Sequence, residues 1–219
     1  MLWIKICATT NLEDARDSIA AGANALGFIF APSPRRLTPE AARDIIAALP
    51  PPVEKIGVVV NQTPQSLQQL AEATGLTGLQ LHGDEAAAQL PEFRRALGAR
   101  KIIKTLPARE LLAAPAMLDE YLRNSKSFDA ILLDSGSPAA RGGTGVPFDW
   151  NAAVPLVNRI QEHLPVIIAG GLTPENVADA IRLFRPSGLD VVSGVELAPG
   201  RKDPARLRAF MAAARAVEY

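Results

Sequence analysis

The chain has 219 residues, of which 48% are hydrophobic, and its 23 lysines and arginines balance 23 aspartates and glutamates. Because the charge is balanced and no basic block stands out, the sequence offers no electrostatic footprint for nucleic acid or an anionic membrane surface. One cysteine excludes an internal disulfide framework and every metal site built from several cysteines, which favours a reducing, cytoplasmic compartment. No apolar run approaches the ~20 residues of a membrane span. The composition therefore predicts a soluble globular protein.

Short apolar runs alternate with segments of helical periodicity along the chain. The runs are rich in valine, isoleucine and leucine, which is typical of parallel strands covered by helices on both faces. Eight strands are predicted, at 3–7, 25–30, 55–60, 78–81, 101–105, 129–134, 165–169 and 189–193. Eight strand–loop–helix units match a closed (β/α)8 barrel, and the length falls in its usual range. We therefore predict an α/β fold, a TIM barrel in which residues 1–219 form a single domain.

Proline marks several helix boundaries. Four predicted helices begin with a capping side chain directly before a proline, which is favoured at the first helical position because it lacks an N–H group. These capping residues are Thr38, Thr63, Thr173 and Asp203. Pro91 and Pro115 are expected to interrupt the fourth and fifth helices.

Two other architectures are weaker alternatives. A doubly wound open sheet would also alternate strands and helices, but no Gly-x-Gly-x-x-Gly pattern opens the first unit, and the eighth strand leads straight into a closing helix. The length alone would allow two small domains, but no low-complexity linker or change of composition divides the chain.

Cys7 and Asp134 end the first and sixth predicted strands, and the active site of a (β/α)8 barrel lies at such strand ends. A buried apolar cysteine and a loop-capping aspartate are the ordinary structural explanations. Alternation places Lys5 on the same face as Cys7, where its ammonium group would lower the pKa of the thiol from about 8.5. On opposite sides of the barrel mouth, the two groups suit a base and an acid acting on one substrate.

Glycines follow the strands at which this fold commonly binds phosphate. Gly170 and Gly171 follow the seventh strand, Ser193 and Gly194 follow the eighth, and Gly143 lies in a glycine-rich loop after the sixth. Backbone N–H groups and a helix N-terminus can hold a phosphate dianion there. Turn glycines without a ligand are common, but two pairs in the expected units favour a small phosphorylated substrate.

Arginines and histidines add to the candidate site. Arg35 and Arg36 follow the second strand, where they are either surface charges or groups that hold a substrate anion. The two histidines, His82 and His163, stand on distant elements, which argues against a protein-ligated catalytic metal. His82 suits a structural hydrogen bond as well as a substrate contact.

These motifs, in order from residue 5 to about 210, resemble the phosphoribosylanthranilate isomerase family. The segments that carry the resemblance include Lys5-Ile6-Cys7, Thr10-Asn11-Leu12-Glu13-Asp14-Ala15, Ser33-Pro34-Arg35-Arg36, Gln80-Leu81-His82-Gly83, Leu132-Leu133-Asp134-Ser135, Gly142-Gly143-Thr144-Gly145, Ala169-Gly170-Gly171-Leu172 and Ser193-Gly194-Val195-Glu196. The resemblance implies a (β/α)8 isomerase of tryptophan biosynthesis that uses no cofactor or metal. Monomer and homodimer both remain open.

The resemblance also implies roles for individual residues in an Amadori rearrangement of N-(5-phosphoribosyl)anthranilate. Asp134 would be the general acid that protonates the ribose ring oxygen, and Cys7 the general base that takes the C2′ proton. Arg36 would hold the anthranilate end, and Asp190 and His82 would contact the substrate. The phosphate would be bound by the backbone around Gly170, Gly171, Ser193 and Gly194, together with Gly143.

Two departures from the family pattern leave alternatives open. Ala8 stands where the family usually has glycine, and Val146-Pro147 replaces a polar pair. If position 8 requires a positive φ, alanine is strained there. A non-catalytic phosphate-ligand-binding paralogue or assembly partner, and an isomerase or epimerase of another phosphosugar, therefore remain alternatives. Because neither departure removes a proposed catalytic group, we expect an altered rate or affinity rather than loss of function.

Overall fold

The computed structural model describes residues 2–135 and 148–217. Eight parallel strands form a closed barrel, in which each strand pairs with the next and the eighth pairs with the first. The strands are β1 (Trp3–Ile6), β2 (Ala25–Ile29), β3 (Glu54–Val59), β4 (Gly78–Leu81), β5 (Lys101–Pro107), β6 (Ala130–Asp134), β7 (Val166–Ile168) and β8 (Gly188–Val191). All eight predicted strands are present, so the (β/α)8 barrel is confirmed and the open sheet is excluded.

Helices cover the outside of the barrel. They are α1 (Leu12–Ala20), α2 (Pro39–Ala47), α3 (Pro64–Thr74), α4 (Leu90–Leu97), α5 (Ala108–Ala113), α6 (Ala116–Arg123), α7 (Trp150–Gln161), α8 (Val177–Phe184) and α9 (Pro204–Arg215). Between β8 and α9 the chain forms a short antiparallel hairpin of β9 (Glu196–Ala198) and β10 (Arg201–Lys202). Within the described ranges, none of these helices is long and apolar enough to cross a membrane.

The helix boundaries follow the sequence prediction with two exceptions. The confirmed capping side chains, which accept hydrogen bonds from first-turn N–H groups, are Thr38, Thr63 and Asp203. Thr173 also makes the predicted capping contact, since its Oγ1 accepts from the N–H of Glu175 at 3.3 Å and its N–H donates to the Asn176 side chain at 2.8 Å, but α8 begins only at Val177. Pro115 separates α5 from α6 as predicted, but Pro91 stands in the first turn of α4, where proline is tolerated.

The interior of the barrel changes from apolar to polar towards the site. A small apolar cluster inside the barrel consists of Ala25, Ile56, Ile103, Ala130, Leu132, Ile167 and Ala169. The buried polar side chains that share this interior include Lys5, Gln80, Thr105, Asp134 and Asp190. Because burying polar and charged groups is costly without partners, this polar set marks the part of the barrel where a function outweighs packing.

Candidate active site

A cavity of about 330 Å³ opens at the carboxyl ends of the strands, which is large enough for a small ligand. The predicted site residues that line it are Cys7, His82, Asp134, Gly170, Gly171, Asp190 and Ser193. Gly194 and Arg36 are not among the lining residues, and Gly143 lies outside the described residues. The structure therefore brings the proposed acid, the proposed base and the glycine loops around one cavity.

Cys7 directly follows β1, and backbone contacts on both sides fix its position. Its N–H donates to the carbonyl oxygen of Val191 at 2.9 Å, and its own carbonyl oxygen accepts from Nζ of Lys202 at 2.6 Å. The next residue, Ala8, has φ +62°, so the positive φ anticipated for this position is present. An L-residue in this region carries a strain of about 1–2 kcal/mol. The thiol is thus presented from a tight, strained turn at the end of the strand.

The charges around Cys7 come from a buried ion pair. Nζ of Lys5 lies 2.8 Å from Oδ1 of Asp190 on the neighbouring strand β8. Burial raises the pKa of the Cys7 thiol; Lys5 lowers it, and Asp190 raises it further. The prediction of a lowered thiol pKa is therefore wrong. Burial removes the hydration that would stabilise the thiolate, and the negative charge of Asp190 opposes the positive charge of Lys5.

Asp134 stands at the end of β6, close to the imidazole of His82. Nε2 of His82 lies 3.6 Å from Oδ2 of Asp134. The amide nitrogen of Gln80 is 2.9 Å from Nδ1 of His82 and 3.1 Å from Oγ1 of Thr105. Burial, together with the charge of Lys5, lowers the pKa of His82 to about 4, so the imidazole is neutral at pH 7. With Gln80 donating to Nδ1, the imidazole carries its proton on Nε2, which faces Asp134.

The loops after β7 and β8 are built from glycines that other residues could not replace without strain or collision. Gly170 and Gly171 have φ +79° and +71°. A Cβ atom on Gly170 would collide with Ser135, and one on Gly194 would collide with the carbonyl group of Leu172. Gly194 is buried and joins the two loops, which explains why it supports the cavity wall without lining it. Close approach of the backbone is what a phosphate site requires.

Of the two arginines after β2, Arg35 rather than Arg36 reaches the cavity. Its guanidinium group binds the carboxylate of Glu196, with Nη2–Oε2 and Nε–Oε1 distances of 2.7 and 3.0 Å. Arg36 is exposed and forms an isolated backbone bridge with Ile29. The contact between Arg36 and a substrate anion therefore stays a prediction.

Two further polar residues serve the scaffold: Lys104 within β5 and Asn61 shortly after β3. Nζ of Lys104 lies 2.6 Å from Oε2 of Glu85, and the N–H of Asn61 donates to Oε1 of the same carboxylate at 2.9 Å. Neither Lys104 nor Asn61 lines the cavity. They hold the loop that follows β4, and with it the position of His82.

In residues 2–135 and 148–217, no group of three or more His, Cys, Asp and Glu side chains is arranged to hold a metal ion. The cavity instead offers a thiol, a carboxyl group, a neutral imidazole and a buried ion pair. Such a set can move protons to and from a bound molecule, while the glycine loops can bind an anionic group.

Residues 4–213 match the family model described as N-(5′-phosphoribosyl)anthranilate (PRA) isomerase. The chain belongs to this family. It is 44% identical over 216 residues to the N-(5′-phosphoribosyl)anthranilate isomerase of Pelobacter propionicus, covering 98% of this chain and 96% of that one. It is therefore an isomerase.

Two solved structures of phosphoribosylanthranilate isomerases share the fold over the whole chain. One, in complex with reduced 1-(o-carboxyphenylamino)-1-deoxyribulose 5-phosphate, has a TM-score of 0.80 and 36% identity, covering 99% of this chain and all of that one. The other is of monomers derived from the dimeric enzyme of Thermotoga maritima, with a TM-score of 0.79, 36% identity and the same coverage. At 36% identity, both proteins are similar to this chain in sequence as well as in fold.

The sequence did not identify three residues that belong to the site of this phosphoribosylanthranilate isomerase family member. Gln80 stands two residues before His82, and strand alternation could have placed both on the inner face. Lys202 and Glu196 contact Cys7 and Arg35 through the hairpin of β9 and β10. No local sequence pattern predicts those contacts, because they join segments that are far apart in the chain.

Proposed function

We propose that this protein converts N-(5′-phosphoribosyl)anthranilate into 1-(2-carboxyphenylamino)-1-deoxyribulose 5-phosphate, an Amadori rearrangement of tryptophan biosynthesis. The observation that carries the proposal is the placement of Cys7 and Asp134 around one cavity with two glycine loops. The family match over nearly the whole chain supports the choice of substrate. A solved relative in complex with a reduced form of this product supports it further.

In the first step, Asp134 donates a proton to the ribose ring oxygen. The bond between C1′ and that oxygen breaks, and the lone pair of the anthranilate nitrogen forms a Schiff base with C1′. The neutral His82, whose Nε2 lies 3.6 Å from the carboxyl group, does not hold Asp134 ionised as an imidazolium would. Its Nε2–H can stabilise the carboxylate that forms when the proton leaves.

In the second step, the thiolate of Cys7 takes the proton from C2′ and an enolamine forms. The hydroxyl proton of the enolamine is then lost and C1′ gains a proton, which leaves a ketone at C2′ and no net change of protons. Lys5 stabilises the thiolate. Because burial raises the pKa of the thiol, the thiolate is a stronger base once formed.

The remaining residues bind the substrate without taking part in bond changes. Asp190 lines the cavity beside Cys7, and we assign it and His82 to substrate contacts. Arg36 is assigned to the anthranilate carboxylate. The phosphate is assigned to the backbone around Gly170, Gly171, Ser193 and Gly194, with the loop of Gly143. The reaction consists of ring opening and proton transfers within one substrate and needs no external oxidant or reductant, so we assign it neither a metal nor a cofactor.

The test compares Cys7→Ala and Asp134→Asn with the wild-type chain. Each variant is expected to lose ~10²–10⁴-fold in kcat, the usual contribution of one acid–base group, while still binding a product analogue. Consumption of phosphoribosylanthranilate is followed by its fluorescence. Thr9→Val, which alters a buried hydroxyl group two residues from the thiol, is the control and should keep its kcat.

Turnover close to wild type in either variant would remove the assigned role from that residue. Binding of the analogue by the pure wild-type chain without any turnover would instead favour a non-catalytic paralogue.

A further inference from the structure

Lys202 of β10 is a buried cation that contacts the backbone of Cys7. Its side chain is 1% exposed, and its Nζ lies 2.6 Å from the carbonyl oxygen of Cys7 and 3.3 Å from Oε1 of Glu196. Its N–H donates to Oδ2 of Asp14 in α1 at 2.9 Å. Both ends of this residue are therefore fixed, one on the first helix and the other on the residue that ends the first strand.

A continuous set of contacts joins this lysine to the cavity wall. Glu196 of β9 accepts from Lys202 and also binds the guanidinium group of Arg35, which lines the cavity. The N–H of Gly200, in the turn of the hairpin, donates to the same carboxylate at 3.2 Å. The hairpin thus connects the loop after β2 with the peptide group of Cys7.

The contact between Lys202 and the carbonyl oxygen of Cys7 lies at the turn that sets the orientation of the thiol. Ala8 has φ +62°, so the chain leaves the strand direction immediately after Cys7. The peptide group between these residues is therefore held by the turn and by Lys202 rather than by the strand ladder. Loss of the Lys202 contact would free the carbonyl of Cys7 and allow this peptide to rotate, and the thiol with it.

Among the described residues around the thiol, two cations share one carboxylate. Lys5 pairs with Asp190, and Arg35 pairs with Glu196. The carboxylate of Asp14, which accepts from the N–H of Lys202, lies 4.0 Å from the exposed guanidinium group of Arg201. Lys202 also lies 3.3 Å from Oε1 of Glu196, so this carboxylate faces two cations, and the thiolate form of Cys7 would offset their surplus positive charge. In agreement, Lys202 acts to lower the pKa of Cys7, although less than burial raises it.

We propose that Lys202 is a positioning residue for the general base, which fixes the Cys7 peptide and supplies the positive charge that the thiolate requires. This inference rests on the proposed function of Cys7. Lys202 does not touch the substrate, since it does not line the cavity.

The experiment titrates the thiol by its thiolate absorbance in the ultraviolet, because Cys7 is the only cysteine in the chain; the titration of the same chain with Cys7→Ala is subtracted to remove the absorbance of the two tyrosines. In Lys202→Met the pKa of Cys7 is expected to rise by about one unit, the lower end of the shift caused by one close charge. The thiolate fraction at pH 7 then falls about tenfold, and kcat falls with it while KM changes little. Lys202→Arg keeps the charge and should restore both.

Two further variants separate this role from a structural one. Lys101→Met removes an ion pair with Glu54 that lies at the opposite end of the barrel, and it should change neither the titration nor kcat. Glu196→Gln removes a negative charge, so it should lower the pKa of Cys7, opposite to Lys202→Met. Circular dichroism and urea unfolding establish that each variant folds; should Lys202→Met not fold, the titrations of Lys202→Arg and Glu196→Gln decide.

An unchanged thiol titration in folded Lys202→Met, or in Glu196→Gln, would overturn the inference while an inactive Cys7→Ala leaves the proposed function standing. An active Cys7→Ala would overturn the proposed role of the thiol instead, and the titration would still show whether Lys202 sets its ionisation.

Discussion

A Cβ atom on Gly27 would lie 2.5 Å from Sγ of Cys7. Gly27 lies in β2 and Cys7 directly follows the neighbouring strand β1, and the same Cβ atom would be 3.0 Å from Cα of Cys7. Since real Cβ atoms keep a greater distance from backbone atoms, the thiol occupies the space that a side chain at position 27 would take. Glycine at this position therefore helps to fix where the thiol stands.

We expect Gly27→Ala to lower kcat much more than it changes KM. The methyl group must displace the thiol or move β2 away from β1, and a misplacement of ~1 Å can reduce a rate roughly 100-fold. The overpacked core should also lose about 1–3 kcal/mol of unfolding free energy. Steady-state kinetics and urea unfolding measure the two effects.

Gly57→Ala is the matched control for that change. Its Cβ atom would lie 2.7 Å from Leu76 and 2.9 Å from Leu79, so it is overpacked as well, but against side chains away from the thiol. We expect a loss of stability with kcat retained. An equal loss of kcat in both variants would show that general destabilisation, and not the position of the thiol, governs the rate.

The stability of the protein should fall between pH 6.5 and pH 4 because of His82. The pKa of this group is lowered from 6.5 to about 4 in the folded state, so the unfolded chain binds a proton there that the folded chain does not. Its penalty is absent above pH 6.5 and grows as the pH falls, up to about 3 kcal/mol. Urea unfolding across this range should show a shallower decline for His82→Gln than for wild type.

His163, the other histidine of the chain, provides the control for this pH dependence. It is exposed, in the turn after α7, and away from the cavity. His163→Gln should therefore decline with pH as the wild type does. A decline that His82→Gln leaves unchanged would assign the effect to the carboxyl groups alone.

The fold could be predicted from the sequence because the signals are local. Strands covered on both faces are apolar throughout, and proline and capping residues mark most helix starts. Closure of the barrel then places every strand end on one face, so Cys7, Asp134 and Asp190 meet at one cavity although they are distant in the chain. Topology therefore predicted that Cys7 and Asp134 meet, whereas Asp190 was expected only from the family resemblance.

The electrostatics and the long-range contacts could not be predicted in the same way. The direction of the Cys7 pKa depends on burial and on Asp190 opposing Lys5, a balance that is decided only by the packed structure. The bond from Lys202 to Cys7 depends on the shape of the hairpin between β8 and α9. At Thr173 the predicted capping contact forms, but the sequence does not show that the regular helix begins only at Val177.

Substitution of Arg36 should affect substrate binding, whereas substitution of Arg35 should affect stability. Because Arg36 is exposed, Arg36→Ala should leave the free energy of unfolding unchanged and, if this side chain holds the anthranilate carboxylate, raise KM about tenfold, the effect of one lost ionic hydrogen bond. Arg35→Ala leaves the carboxylate of Glu196 with one cation fewer and should destabilise the fold. An unchanged KM in Arg36→Ala would withdraw its assignment.

Gly170 and Gly75 allow the phosphate assignment to be tested at equal backbone strain. Their φ angles are +79° and +78°, so alanine at either position should cost about 1 kcal/mol of stability from strain. At Gly170 the added methyl group also collides with Ser135 and would displace the loop after β7. At Gly75, after α3, its nearest neighbour is Cγ2 of Ile46 at 3.4 Å.

Gly170→Ala is therefore expected to weaken competitive inhibition by inorganic phosphate about tenfold, the cost of roughly one misplaced N–H donor to an anion. Gly75→Ala should lose stability while its inhibition constant for phosphate stays at the wild-type value. Both constants come from initial rates at several phosphate concentrations and fixed ionic strength, since salt alone screens an anion site. Equal inhibition constants in the two variants would place the phosphate away from the loop that follows β7.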